Sequence, residues 1–259
     1  MGEAIWAEVL KARRSRLPWL TVLAFTVAAG VGGLFMFILL DPDRARAMGL
    51  LGAKAELAGG TANWPGYFAL LTQTIAVGGA LIFGVIVIWT FGREFSDHTA
   101  KDLLALPTSR TTIVAAKYTV TAIWCLALTT QTYLLGLAVG TALRLPGWTT
   151  AVAVEALARM MVTAVLTVLL VTTLGLAASV GRGYLAAIGV MFLTVFLAQV
   201  IAVLGYGHLF PWSVPAIYSQ IGGTNHPNVG PIGYSLVVAI AVASVTATVV
   251  WWHTADHTL

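Results

Sequence analysis

The sequence predicts an all-α polytopic membrane protein with six transmembrane helices. Hydrophobic residues make up 59% of its 259 residues, against roughly 45–50% in soluble domains. Charged residues make up 9%, against about 25% in soluble domains. Six apolar stretches are each long enough for one bilayer crossing, which needs about 20 residues. This composition excludes a soluble enzyme, a disordered chain and a nucleic-acid-binding protein.

The apolar stretches are predicted to be helices rather than barrel strands. Strands of a membrane barrel alternate polar and apolar positions over about 10 residues, and runs such as 80–89 do not alternate. The first run is longer than the apolar part of a signal peptide, about 7–15 residues, so we expect an uncleaved first span. The predicted spans are residues 17–40, 67–91, 113–141, 152–180, 184–206 and 232–252.

The distribution of lysine and arginine predicts the orientation in the cytoplasmic membrane. With the N-terminus inside, nine basic residues lie on the cytoplasmic side and five on the outside. Four of the nine directly precede the first span, where they influence insertion most. Because the number of spans is even, both termini are predicted to be cytoplasmic.

Residues 1–16 are predicted to form an amphipathic helix in the membrane interface. Four apolar side chains fall on one helical face by their i, i+3, i+4 spacing: Ile5, Trp6, Val9 and Leu10. The basic residues that follow lie near the negative end of the helix dipole. The alternative is a simple basic flank that only fixes the topology.

The connection at 92–112 contains the signals of a short helix held between two spans. Ser96 or Asp97 can cap a helix start by accepting backbone N–H bonds. Pro107 ends that helix because it restricts the residue before it. Thr108 or Ser109 can then cap the helix of the third span.

Leu103 and Leu104 give this short helix an apolar face on the cytoplasmic side. Water does not satisfy such a face, so we expect it to contact lipid headgroups or a partner protein. The alternative is a connecting turn without a partner. Lys117, one turn into the third span, is predicted to extend its ammonium to the inner interface.

The outer connections differ in composition. Asp41-Pro42-Asp43 opens the first and is typical of a helix start. The segment 207–231 contains four prolines and no Lys, Arg, Asp or Glu. Irregular backbone of this kind at the membrane is stable only against protein or a wet cavity, so we expect an ordered segment before the sixth span.

A few polar side chains inside the spans are candidates for lining a transport pathway. Glu155 and Arg159 have the i, i+4 spacing of a helical ion pair, and a plain interfacial pair is the alternative. Gln73, Gln131 and Gln199 fall in the outer halves of three spans. Hydrogen bonding between helices is the alternative for each glutamine.

No catalytic residue, metal site or cofactor site is predicted. The chain has no G-x-x-x-x-G-K-[ST], H-E-x-x-H or G-x-S-x-G motif, so it lacks the phosphate-binding loop that ATP hydrolysis needs. Its one cysteine, Cys125, excludes an internal disulfide.

The segment after the second span resembles that of ABC-2 type exporter permeases. In that family an acidic residue is followed by a threonine, a leucine-rich turn, Leu-Pro-x-Ser-Arg and a later lysine. The matching residues are Glu94, Thr99, Leu103, Leu104, Leu106, Pro107, Ser109, Arg110 and Lys117. His98 stands where the family often has glycine. The six spans and the N-terminal amphipathic helix also fit, so the resemblance covers the whole chain as one transmembrane domain.

The resemblance implies that 92–112 contains a coupling helix that docks on a separate ATPase. Two ATPase subunits would bind ATP and Mg, and a second permease copy or a paralogue would complete the path through the lipid. The family handles drugs, peptide antibiotics, lipids and glycans, and the small number of charges in the spans favours an amphipathic molecule among these. The alternatives are an intramembrane enzyme acting on lipid or peptide, which needs a nucleophile–base pair or metal carboxylates, and a secondary transporter, which usually has internal repeats.

Overall fold

In the computed structural model, six helices among the described residues are long and apolar enough to cross a membrane, as predicted. The structure describes residues 1–49, 61–99, 102–103, 107–220 and 229–254, which contain no strand. The six long helices are α2 (Leu17–Leu40), α4 (Trp64–Ser96), α5 (Arg110–Ala142), α6 (Thr150–Val180), α7 (Tyr184–Val203) and α9 (Pro231–Thr254).

Shorter elements lie at the two ends of this bundle. The helix α1 (Gly2–Arg14) precedes the first span, and α3 (Pro42–Ala47) follows it. Two 3₁₀ turns (Gly207–Leu209 and Pro211–Ser213) and α8 (Val214–Tyr218) precede α9. We name the end with α1 and the last turn of α9 the terminal face, and the opposite end the far face.

Side-chain caps explain where several helices begin. Asn63 accepts the Gly66 N–H at the start of α4. The Thr149 hydroxyl accepts the Val152 N–H at the start of α6. Asp41 accepts the Arg44 N–H at the start of α3, as its Asp-Pro-Asp motif predicts. Each cap satisfies a backbone donor that the first helical turn leaves unpaired.

The fifth predicted span ends earlier than residue 206, because α7 stops at Val203. Gly205 has a φ of 86°, and the Tyr206 N–H bonds the Ile201 carbonyl. This is the left-handed helix ending that glycine adopts without steric cost.

The helices α4 and α6 form the centre of the bundle and make its most extensive contact. Their apolar windows are 61% and 56% buried, against 11% for α7 and 28% for α9. Close contacts depend on small residues: a Cβ at Gly140 of α5 would lie 2.5 Å from the Trp64 ring. With α2 and α5 at 33% each, α7 leaves the largest share of its surface for lipid or another chain, and α2, α5 and α9 leave similar shares.

The described part of the segment before α9 packs onto the spans, as its proline content predicts. Val214 is fully buried in a cluster with Leu166, Leu170 and Val237. The Ser213 hydroxyl donates to the Ala198 carbonyl at 3.0 Å. The backbone is thus ordered against three helices at the far face.

Candidate coupling site

The helix α4 passes into the predicted coupling segment through a left-handed residue. His98 has a φ of 57°, and the Thr99 N–H donates to the Glu94 carbonyl at 2.9 Å. This geometry suits glycine, because the left-handed region costs other residues about 1–2 kcal/mol. The predicted helix start at Ser96 or Asp97 is wrong: α4 continues to Ser96, and Asp97 ends it.

Glu94 joins three elements at the end of α4. Its Oε2 accepts the Thr99 hydroxyl at 2.8 Å. Its Oε1 accepts the Lys11 Nζ of α1 at 2.6 Å and the Lys117 Nζ of α5 at 3.0 Å. The carboxylate is 4% exposed, so these bonds replace water. Thr99 is held both by the backbone and by the side chain of Glu94.

Lys117 is completely buried, so the prediction that it extends to the interface is wrong. Its Nζ donates to the Thr90 carbonyl at 2.9 Å and lies 3.2 Å from Glu8 Oε1, besides its bond to Glu94. The two carboxylates keep the ammonium inside the protein, where an unpaired charge would be costly. Lys11 also bonds Glu8 at 2.9 Å.

We call Glu8, Lys11, Glu94 and Lys117 the ion cluster. Two acids and two bases make it formally neutral. Burial opposes the charge of Lys11, but the Glu8 and Glu94 carboxylates outweigh it and raise the pKa of Lys11 above its ordinary value. The cluster connects α1, α4 and α5 on the terminal face.

The inward face of α1 therefore contains charged as well as apolar side chains. Glu8 and Ala12 are its buried residues. Trp6, predicted on the apolar face, is 61% exposed. An exposed tryptophan beside basic residues is typical of a helix at a membrane surface. The helix itself is present as predicted, and its place in the membrane interface stays a prediction.

Arg110 attaches the other end of the segment to the end of α9. Its Nη1 donates to the carbonyls of Trp252 at 2.8 Å and His253 at 3.1 Å. Thr111 Oγ1 and the His253 ring are 2.8 Å apart. Both carbonyls lie in the last described turn of α9. Glu94, before the segment, bonds Lys11 and Lys117 rather than Arg110.

The remaining residues of the segment are described in part. Ser109 accepts the Thr112 N–H and begins α5, as predicted. Leu103 is helical and half-buried against the bundle, and Pro107 is exposed. Leu104, the second predicted docking leucine, lies outside the described residues, so its contact with a partner stays a prediction.

The three glutamines do not contact the same neighbours. Gln131 Nε2 donates to the Thr26 hydroxyl at 2.9 Å, linking α5 to α2. Gln73 Nε2 lies 3.4 Å from the Gln220 carbonyl. Gln199 is exposed and lines a cavity of about 250 Å³ between α4, α7 and the segment before α9. Gln131 thus makes the interhelical bond of the alternative interpretation, whereas Gln73 contacts a turn carbonyl after α8. Pathway lining stays a prediction.

Glu155 and Arg159 form the predicted ion pair at 3.0 Å near the start of α6. The Glu155 side chain is 70% exposed. An exposed pair of this kind contributes little to stability. Its contact with a transported molecule stays a prediction.

Comparisons with known proteins agree with this architecture. The profile described as ABC-2 family transporter protein matches residues 4–200. The chain belongs to the ABC-2 transporter family. It is 30% identical over 182 residues to the bacitracin transport permease protein BCRB of Bacillus licheniformis, an alignment that covers 69% of this chain and 85% of that protein. This ABC-2 chain is therefore a multi-pass transport subunit rather than an enzyme, and such permeases work with ABC ATPases.

Sequence reasoning missed two residues of the site in this permease, Glu8 and Lys11. Both were treated as part of a surface helix, yet they complete the ion cluster. One signal was available: the topology places Glu8, Lys11, Glu94 and Lys117 at similar depth, and their charges sum to zero.

Proposed function

We propose that this permease is the membrane-spanning subunit of an ATP-driven exporter and that 92–112 transmits the ATPase movement. The observation that carries the proposal is the attachment of this segment at both ends. Glu94 and Thr99 tie its start to α1 and α5, and Arg110 ties its end to α9. A displacement of the segment is therefore transmitted to α1, α5 and α9.

The complex would contain two ATPase subunits, which bind ATP and Mg, and two permeases, this chain with a second copy or a paralogue. Dimerisation of the ATPases on ATP would rock the permeases and switch access from one side to the other. The apolar surfaces of α7 and α9 leave room for permease contacts as well as lipid. The residues that would meet the ATPase are Glu94, Thr99, Leu103, Leu104, Pro107, Ser109 and Arg110.

The terminal face would be cytoplasmic in the cell membrane. The arginines before α2 support this orientation, because basic flanks stay on the cytoplasmic side. A cysteine at Arg14 in a Cys125→Ser chain should then react with an impermeant thiol reagent only in inverted vesicles. A cysteine at Arg144, on the far face, should react in intact cells. The reverse pattern would place the segment outside, where no ATPase could reach it.

The exported substrate would be amphipathic, and a peptide antibiotic is supported by the name of the bacitracin relative. The far-face cavity has an apolar lining with Gln199, His208 and Ser213 as polar contributors, and the described residues around it include no Lys, Arg, Asp or Glu. Such a lining suits a molecule with a large apolar part and uncharged hydrogen-bonding groups.

Charge reversal on the segment tests the coupling role. Asp102 is helical and exposed, so Asp102→Arg should leave insertion intact and reduce co-purification of the ATPase and ATP-dependent export. Asp43→Arg is the matched control, because Asp43 is an exposed acid of a short helix on the far face. Equal loss of export in both variants, or wild-type association and export in Asp102→Arg, would refute the coupling role.

A further inference from the structure

The ion cluster consists of two pairs that are each neutral on their own. Glu8 and Lys11 are one turn apart on α1 and bond each other at 2.9 Å. Glu94 and Lys117 bond each other at 3.0 Å between α4 and α5. Two contacts join the pairs: Lys11 to Glu94 at 2.6 Å and Lys117 to Glu8 at 3.2 Å.

This arrangement allows α1 to leave the bundle without stranding a charge. If the pairs separate, Lys11 keeps Glu8, and Lys117 keeps Glu94 and the Thr90 carbonyl. A cluster in which each acid depended on the base of the other half would leave unpaired buried charges on separation, which is strongly unfavourable. Both sides of the contact, α1 on one and α4 with α5 on the other, therefore carry one acid and one base.

Ala12 is the one apolar residue of α1 that is fully buried, and Glu8 is the other buried residue of the helix. Ala4, Ile5, Val9 and Leu10 are half-buried. A cavity of about 290 Å³ separates its Glu3–Glu8 side from Leu103, Pro107 and Ile113. The charge contacts therefore account for much of what holds α1 in this position, since packed side chains would otherwise fill that space.

We propose that α1 is a detachable arm, which charge pairing seats on Glu94 and Lys117 and which, when seated, fixes the start of the coupling segment. Glu8 and Lys11 are then positioning residues. They act through Glu94, whose two oxygens hold Lys11 and Thr99 at once. The effect on coupling rests on the proposed function of 92–112, whereas the seating of α1 does not.

A charge-swap cycle in the full-length chain tests this arm. The arm swap is Glu8→Lys with Lys11→Glu, the bundle swap is Glu94→Lys with Lys117→Glu, and the full swap combines them. Each half swap opposes like charges at both contacts, and the full swap restores opposite charges. The reporter is Ala12→Cys in a Cys125→Ser chain, because Ala12 is 8% exposed while α1 is seated.

Each half swap should speed the reaction of the position-12 thiol with a soluble maleimide on the order of tenfold, since charge complementarity fixes the register of such contacts. The arm swap should also abolish the rise in ATP hydrolysis that a transported peptide antibiotic causes in the complex with the ATPase. The full swap should return the labelling rate toward wild type, whereas ATP hydrolysis is compared only between the arm swap and wild type, because Glu94 itself belongs to the proposed coupling site. Slow labelling in the half swaps, or a folded full swap that stays fast, would overturn the arm.

A milder variant covers the case in which the bundle swap fails to fold. Glu8→Gln with Lys11→Gln leaves Glu94 and Lys117 untouched and changes only α1, which lies outside the spans. Faster labelling in this variant supports the arm, and unchanged labelling overturns it. The proposed function is tested separately. It fails if the wild-type permease does not retain the ATPase, whatever the labelling rate at position 12.

Discussion

Removal of the Lys117 ammonium is the sharpest perturbation of the ion cluster. The variant Lys117→Met keeps the length and apolar stem of the side chain. It deletes the contacts to Glu94 at 3.0 Å, to Glu8 at 3.2 Å and to the Thr90 carbonyl at 2.9 Å. Lys11 is then the one remaining cation of the cluster, facing two carboxylates.

The loss of stability in Lys117→Met follows from the burial of the ion cluster. Removing one partner of a buried ion pair typically costs about 3–5 kcal/mol. Because Lys11 still contacts both carboxylates, we expect the lower end, a loss of about 3 kcal/mol in the free energy of unfolding. Adding Glu94→Gln removes the surplus negative charge and keeps an acceptor for Thr99. The double variant should therefore be more stable than Lys117→Met by about 1–2 kcal/mol.

Reversible unfolding in mixed micelles, followed by tryptophan fluorescence, measures these differences. Asp97→Asn is the matched control, because it breaks the exposed pair with Arg93 at 3.1 Å and should change stability by less than about 1 kcal/mol. Two results would refute the reasoning: a wild-type midpoint for Lys117→Met, or a double variant that is less stable than Lys117→Met.

Three further predictions concern other sites. His98→Gly should raise the free energy of unfolding by about 0.5–1 kcal/mol, because glycine relieves the left-handed φ of 57° at some entropic cost; a loss of stability would contradict this. Arg110→Met should lower it by about 1.5–3 kcal/mol and speed amide exchange in the last turn of α9, and unchanged exchange there would argue against the attachment. Glu155→Gln should change stability by less than about 1 kcal/mol; if it slows export, the exposed pair belongs to the pathway, and unaltered export removes it from the pathway.

Features that depend on local sequence were predicted well. Apolar runs identified six spanning helices because length and hydropathy decide membrane insertion without knowledge of neighbours. Asp41 and Ser109 were predicted as helix caps from residue type and the following turn. The helix end at Val203 was missed because Leu204 and Tyr206 continue the apolar run, and only the backbone of Gly205 interrupts it.

The contacts of the site could not be predicted from local sequence, because they join residues far apart in the chain. Glu8 and Lys117 are 109 positions apart, and Arg110 and Trp252 are 142 apart. Read alone, Lys117 near a span end suggests an ammonium that reaches water. Its true environment depends on whether α1 folds back over the start of α5, which no short pattern in the sequence determines.

The ion cluster also gives α1 a defined position on the bundle. An apolar contact would hold α1 without fixing its position along its own axis. Charged hydrogen bonds are directional: Lys11 and Thr99 each occupy a different oxygen of Glu94, so only one position of α1 satisfies the cluster. Trp6, on the outward face, remains available to the lipid surface. The same short helix thus contacts the bundle through its charged side chains and keeps Trp6 on its outward face, as a detachable arm requires.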